Sequence, residues 1–241
     1  MKKLIALAMS AVMIFAMAAC TANPTETTAD ANINAKGEGV MTYAEYAAAD
    51  IDSAVVIEAF VQGKQTWWDN KATVYLADPD GAYFAYNMEC SEDDYTKLVD
   101  GQKIKVTGYK SEWAGEVEIT DATFEVEDGN WISTAEDLTN AFASEDLINH
   151  MNERFIVKDA SIVSEAIYSW DGSGTQGDDL YFEVEIAGET YTFTVESYLC
   201  GADTEVYQTI EGLQAGDTVD LEGFLYWYEG ANPHIIAVTV K

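Results

Sequence analysis

LVDGQKIKVTGYKSEWAGEVEITDATF, residues 98–124, and LQAGDTVDLEGFLYWYEGANPHIIAVT, residues 213–239, are one stretch written twice. Set side by side without a gap, at a constant offset of 115, they pair Leu98 with Leu213, Gly101 with Gly216, Ile104 with Val219 and Val106 with Leu221. Gly108 then meets Gly223, Tyr109 meets Phe224 and Gly115 meets Gly230. Register held over 27 positions makes the chain a tandem repeat, which has to be recognised before any single element is assigned. In each copy aliphatic and polar residues alternate up to a glycine, the pattern of a strand with one buried face, and a second β-rich run follows a glycine turn.

The same order of elements precedes the doubled stretch in both copies. In the first, Thr42 and Glu45 have the spacing of a capping box for a short helix to residue 49. Strands are expected at 54–62, 72–77 and 82–87, the last two joined by the turn Asp78-Pro79-Asp80-Gly81. Ser91 caps a short helix, and strands follow at 102–109 and 116–126. Ile104 and Val106 point inward in the fourth strand; Lys103 and Lys105 point outward. In the second copy strands are expected at 155–167, 180–187 and 190–196, a helix at 204–213, and strands at 217–227 and 234–240. The connection 130–152 reads as helical, with Ser133 and Glu136 as a second capping box and Leu138, Phe142 and Leu147 as a face packed on the second copy. The copies differ most after their first strands, where TWWDNK in one is replaced by the longer SWDGSGTQGDD in the other.

Three strands, a helix and two strands, repeated, resemble the OB-fold, a small Greek-key barrel. The expected fold class is all-β with short helices: two tandem five-stranded OB-like Greek-key barrels, with a helix between strands three and four of each. That resemblance implies a binding face on the second and third strands and their loops.

The amino terminus carries Lys2 and Lys3 before an apolar run, residues 4–19, that is short for a membrane span and suits an export signal. Met17-Ala18-Ala19-Cys20 resembles the lipobox of bacterial lipoproteins, with Met17 where leucine is usual. The resemblance implies cleavage and acylation of Cys20, and two or more acyl chains make a stable anchor to a bilayer. Residues 20–40, poor in large apolar side chains, read as a flexible tether. The divisions are therefore a signal peptide (1–19), a tether (20–40), a first OB-like domain (41–129), and linker helices with a second OB-like domain (130–241). The layout is similar to OB-fold lipoproteins of Gram-positive gut bacteria, a group with no catalytic residues to carry over. It implies the outer face of the bacterial cytoplasmic membrane.

The chain holds 43 acidic residues against 12 basic ones, a formal net charge of −31, and Arg154 is its single arginine. The first copy has 6 lysines against 17 acids over residues 52–128, and the second only Lys158 and Lys241 against 16 acids over residues 155–241. So acidic a surface repels phosphate backbones, which sets nucleic acid aside as an expected partner. Lys103, Lys105 and Lys110 in the first copy are where single strands would bind under that alternative, against a plain solvated strand face. Cys90 and Cys200 each follow the third strand of a copy and are expected as free thiols.

Aromatic residues are the more suggestive signal. Trp67 and Trp68 follow the first strand of one copy, Tyr168 and Trp170 take the matching place in the other, and Tyr226-Trp227-Tyr228 follows a fourth strand. Neighbours on a strand point to opposite faces, so some of these rings leave the core. Trp67, Trp68, Tyr168, Trp170, Tyr226 and Tyr228 are the candidate ligand-binding residues. Rings beside Asp69, Asn70 and Asp171 suit a carbohydrate, or a cation held by ring faces. No cofactor is expected; calcium is the one candidate ion, at Asp171, Asp178 and Asp179. His150 and His234 read as structural or surface residues, Gly172-Ser173-Gly174 lacks the spacing of a nucleophile elbow, and no catalytic residue is expected. The expected function is a non-enzymatic, lipid-anchored binding module for a carbohydrate or an envelope protein. The alternatives are an adaptor with protein contacts only and single-stranded nucleic-acid binding.

Overall fold

The structure is a computed structural model in which residues 33–241 are described. The signal peptide, Cys20 and most of the tether lie outside the described residues. In the first half β1 (Ala54–Lys64), β2 (Lys71–Asp78), β3 (Gly81–Glu89), β4 (Gln102–Trp113) and β5 (Glu116–Asn130) close into a barrel of order β1-β2-β3-β5-β4. Strand β4 lies antiparallel to β1 with Gly108 opposite Val55, and β3 meets β5 in parallel where Ala85 faces Ile119.

Local chemistry accounts for the joints. Asp78 Oδ1 accepts from the amides of Asp80 (2.8 Å) and Gly81 (3.1 Å), which tightens the β2–β3 turn. Helix α1 (Tyr43–Ala48) carries the full capping box of Thr42 and Glu45, and Ser91 caps the single turn α2 (Glu92–Tyr95). The carboxyl end of α1 is closed by Lys110, whose Nζ donates to the carbonyls of Tyr46 (3.1 Å), Ala47 (2.9 Å) and Ala49 (2.8 Å). Lys110 is therefore buried, not part of a solvated lysine face, because α1 covers that side of β4. Lys103 is paired as well, at 2.6 Å from Glu58 and 3.1 Å from Glu127.

In the second half β7 (Arg154–Ile162), β9 (Leu180–Ile186), β10 (Glu189–Val195), β11 (Thr218–Phe224) and β12 (His234–Val240) run in the order β7-β11-β12-β10-β9, and a β7–β9 pairing closes the ring. Helix α3 (Glu205–Gly212), capped by Thr204, stands between β10 and β11. Thr194 faces His234 in the parallel β10–β12 contact, and the offset of 115 carries Ile119 of the corresponding β3–β5 contact onto His234. The described chain is thus mostly β, with short helices and OB-like, barrel-like sheets.

Three expectations change. The first strand of the second copy ends at Ile162, because its partner β11 begins at Thr218 opposite Ser161; the chain then forms the separate two-residue β8 (Ile167–Tyr168) on β9. The connection 130–152 forms no α-helix. It holds a short strand β6 (Glu136–Asp137) parallel to β7 and two 3-10 turns, Ala141–Ala143 and Glu145–His150. Ser133 caps nothing, since its amide and hydroxyl both donate to Gln62 Oε1 of the first barrel at 2.8 and 2.9 Å. Leu138, Phe142 and Leu147 are nonetheless buried in the second core. Finally, the end of the tether belongs to the first barrel: Lys36 pairs with Asp78 at 2.6 Å, and the Gly37 amide donates to Glu58 at 3.2 Å.

The two barrels share a dry seam. Tyr75 and Phe84, on the outer faces of β2 and β3, are buried against Phe224 of β11. The rings of Tyr75 and Phe224 stack 4.2 Å apart and within 8° of parallel, and Tyr75 Oη lies 2.9 Å from His234 Nδ1. A Cβ on Gly63 would come within 2.9 Å of the Phe224 ring, so glycine is needed for this approach. Nearby, the Glu229 amide donates to the Ala114 carbonyl at 2.7 Å, joining repeat-equivalent turns. Cys90 and Cys200 are free thiols, both buried.

Glu116 is fully buried at this seam, accepting from Asn152 Nδ2 (2.6 Å) and the Trp227 amide (2.8 Å). Burial pushes its pKa up to about 8, against the pull of those two donors. The folded chain therefore keeps a proton that the unfolded chain releases near 4.5, so this group makes stability fall as pH rises from 4.5 to about 8. Denaturant melts across that window should show Glu116→Gln losing this part of the slope, on the order of 2–4 kcal/mol. An unchanged slope in the variant would assign the pH dependence elsewhere.

Candidate ligand cleft beside the seam

Where the seam opens to solvent, the two barrels enclose a cleft of about 790 Å³. The first barrel contributes the β1–β2 turn and the outer faces of β2 and β3. Trp68 and Lys71 bracket that turn, with Asp69 and Asn70 at φ 49° and 57°, the residue types that tolerate left-handed backbone in a two-residue hairpin loop. This geometry projects Trp68 outward, 66% exposed. Tyr86 lies two residues beyond Phe84 on β3, on the same outward face.

The second barrel contributes the loop after β8, which carries Trp170, 78% exposed, and the turn after β10, which carries Tyr198. Thr66 fastens that turn to the first barrel, its amide and hydroxyl donating to the Tyr198 carbonyl at 2.6 and 3.0 Å. Tyr226 stacks on His234 with ring centroids 4.5 Å apart and forms an edge contact with Phe84, while Tyr228 stands exposed at the rim. Burial pulls the His234 pKa down to about 3, so its imidazole is neutral and serves as the hydrogen-bond partner of Tyr75.

Two carboxylates belong to the cleft wall. Asp179 Oδ1 accepts from the amide (2.8 Å) and hydroxyl (2.6 Å) of Ser197. Glu196 Oε1 accepts from the Tyr198 amide at 3.2 Å, whereas Oε2 is buried without a hydrogen-bond partner. Burial, and next the charge of Asp179, push the Glu196 pKa up to about 7. Lys71 is the cationic side chain of the wall.

Of the six candidate aromatics, Trp68, Trp170, Tyr226 and Tyr228 are brought together here. Trp67 and Tyr168 are not. Trp67 turns back onto the first core and donates from Nε1 to the Cys90 carbonyl at 2.9 Å. Tyr168 packs on the second core and donates to Glu211 at 2.5 Å. Alternation of faces separates Trp67 from Trp68, whereas Tyr168 and Trp170 part because β8 ends at Tyr168 and Ser169 takes a left-handed backbone at φ 59°. Asp69 and Asn70 serve the turn rather than the cleft.

The proposed calcium cage does not form. Asp171 accepts from Ser173 (3.0 and 2.7 Å), Asp178 from the Thr175 amide (2.8 Å) and Asp179 from Ser197, so each carboxylate shapes its own stretch of chain. Among the described residues, Glu136, His150 and Glu153 are the group whose ligand atoms fall within 4.8 Å of one another, and there His150 Nδ1 already pairs with Glu153 at 2.7 Å. Sequence reasoning missed Tyr86, Tyr181, Tyr198 and Glu196. One signal was present: with Tyr83 and Ala85 inward, Phe84 and Tyr86 mark an outward aromatic face that a solvated strand does not need.

No protein-family model and no curated protein matches the chain. Among solved structures it is similar to the tetrameric p202 HIN2 domain, at 10% identity and a TM-score of 0.35, covering 80% of this chain and 96% of that one. It is similar to the Ifi202 HINa domain in complex with 20bp dsDNA (11% identity, TM-score 0.34, covering 78% and 98%). A replication protein A heterotrimer bound to ssDNA is similar at 15% identity and a TM-score of 0.32, over 78% of this chain and 49% of that one. Likeness at this level concerns the fold alone. The expectation that nucleic acid is set aside as a partner is corrected here: two of these structures hold double- or single-stranded DNA.

The two kinds of tryptophan should separate in stability. Trp67→Ala, which removes a core contact and a hydrogen bond, is expected to cost about 2 kcal/mol or more. Trp68→Ala and Trp170→Ala should stay within about 0.5 kcal/mol of the parent protein. Denaturant melts of the three variants test the assignment, and a large loss for Trp170→Ala would return that ring to the core.

Proposed function

We propose that this protein is a non-enzymatic binding module of two OB-like barrels, held at the outer face of the bacterial cytoplasmic membrane by an acylated Cys20, that takes a carbohydrate in the cleft beside the seam. The observation that carries the ligand class is the pair of exposed indoles, Trp68 and Trp170, facing a concave site with Asp179, Glu196, Asn87 and Asn232 in its wall. A sugar presents C–H faces that stack on such rings and hydroxyls that need acceptors and amides. A concave site of this size favours a small or linear ligand over the broad contact of an adaptor. The anchor rests on residues 17–20 and on the short apolar run before them.

A second reading is single-stranded nucleic acid. It is favoured by the same rings, on which bases stack, and by the amino group of Lys71 beside them. It uses the cleft rather than Lys103 and Lys110 of β4, because Lys103 is ion-paired and Lys110 is buried.

Calorimetric titration of the protein with neutral oligosaccharides and with oligothymidine, at low and high salt, separates the two readings. Sugar binding should be insensitive to salt and fall at least about tenfold in Trp68→Ala and Trp170→Ala, since one stacked ring contributes about 1–3 kcal/mol. Oligothymidine binding that weakens steeply with salt, with no response to sugars, would transfer the function to the second reading. Silence toward both ligands would remove the cleft as a site for either.

The anchor has its own test. Cys20→Ser expressed in a bacterial host should move the protein from the membrane to the soluble fraction, and retention in the membrane would end the lipid-anchor proposal.

A further inference from the structure

The carboxylates of the cleft wall are placed in a way that a neutral sugar leaves unexplained. Strands β9 and β10 pair antiparallel with Thr194 opposite Tyr181 and Val195 opposite Leu180. Continued by one step, that register sets Glu196 opposite Asp179, and like charges directly across a strand pair repel. None of the ion pairs among the described residues relieves them, and Lys71 pairs with neither. Asp179 is held in place by Ser197 through Oδ1 alone. Glu196 Oε2 is buried and makes no hydrogen bond, the Gln65 side chain being the nearby donor that acts on this carboxylate. Both residues border the cleft together with Trp170, Tyr181 and Tyr198.

We infer that the ligand carries a protonated primary amine that seats between Glu196 and Asp179, and that the carbohydrate class is therefore a glycan with unacetylated amino sugars. This inference rests on the carbohydrate reading above. An ammonium group brings three N–H donors, enough to satisfy Glu196 Oε2 and a free oxygen of Asp179 together, and its charge offsets the repulsion between them. The surrounding ring faces add a favourable field for a cation while the sugar stacks. A hydroxyl could fill one acceptor but would leave the two carboxylates repelling. An N-acetyl group places a neutral amide and a methyl where the charge is required.

The test compares an oligomer of glucosamine with its fully N-acetylated counterpart of the same length, titrated calorimetrically into the full chain at neutral pH. The free-amine oligomer should bind at least about tenfold more tightly. Glu196→Gln and Asp179→Asn should each reduce that preference to about twofold, and Trp170→Ala should weaken both ligands. Because the whole chain is strongly acidic, Glu183→Gln, on an exposed position of β9, serves as a control for general attraction of cations and should keep the preference intact. Equal affinity for the two oligomers overturns the amine inference and leaves the carbohydrate reading standing. A preference that survives both carboxamide substitutions, or that falls equally in Glu183→Gln, overturns it as non-specific charge attraction. Absence of binding to either oligomer counts against the amine inference, and if neutral oligosaccharides also fail, the carbohydrate reading falls with it.

Discussion

The stacked pair of Tyr75 and Phe224 is the contact on which the arrangement of this protein depends. Each ring lies on the outside of its own barrel, where an isolated barrel would expose it to water. Brought together with Phe84, they bury a compact aromatic cluster, each ring worth roughly 1.5–3 kcal/mol of burial. The dryness of that seam sets the chemistry around it. It keeps His234 neutral and bonded to Tyr75, holds the Glu116 carboxyl far above its ordinary range, and requires glycine at positions 63 and 115, where ring atoms of Phe224 and Trp227 come within 2.9 and 2.8 Å of a Cβ position. The cleft is the open rim of the same seam, so the relative placement of the barrels and the shape of the site are one constraint.

Charge is distributed to the same end. Three of the few cationic side chains do structural work on the first barrel: Lys36 on Asp78, Lys103 on Glu58 and Glu127, and Lys110 on the carbonyl end of α1. Asp78 and Glu58 are buried with Lys36 and Lys103, so these pairings take acids as well as lysines out of the surface. Lys71 remains at the cleft, which Asp179 and Glu196 also line. The local field there favours neutral or cationic groups on a ligand, whereas the rings accept any flat or C–H-rich face.

Much of the architecture was legible in the residues. The offset of 115 that aligns two stretches of sequence also aligns the parallel contacts at Ile119 and His234. The caps at Thr42, Ser91 and Thr204 and the turn at Asp78 formed as their side chains dictate, because these interactions span only a few residues. The connection 130–152 was misread because its apolar spacing suits a helix, while an exposed edge of β7 offered Glu136 and Asp137 backbone partners that periodicity does not reveal. Lys110 looked solvated for a similar reason: the helix that covers it is more than 60 residues away in sequence. Trp67 and Tyr168 were grouped with the binding rings because adjacency was visible and orientation was not.

By itself the sequence determined the duplication, the order of strands in each copy, the joints between them and the fact that some aromatic rings had to leave the cores. Periodicity, turn chemistry and capping act over short separations, and their signals are written where they act. Only the tertiary structure decided which outward rings would be buried in the seam and which would line a cleft, and that Glu196 would face Asp179 with an acceptor unmet. Those outcomes depend on how one barrel docks on the other, a contact between faces far apart along the chain for which no local pattern exists.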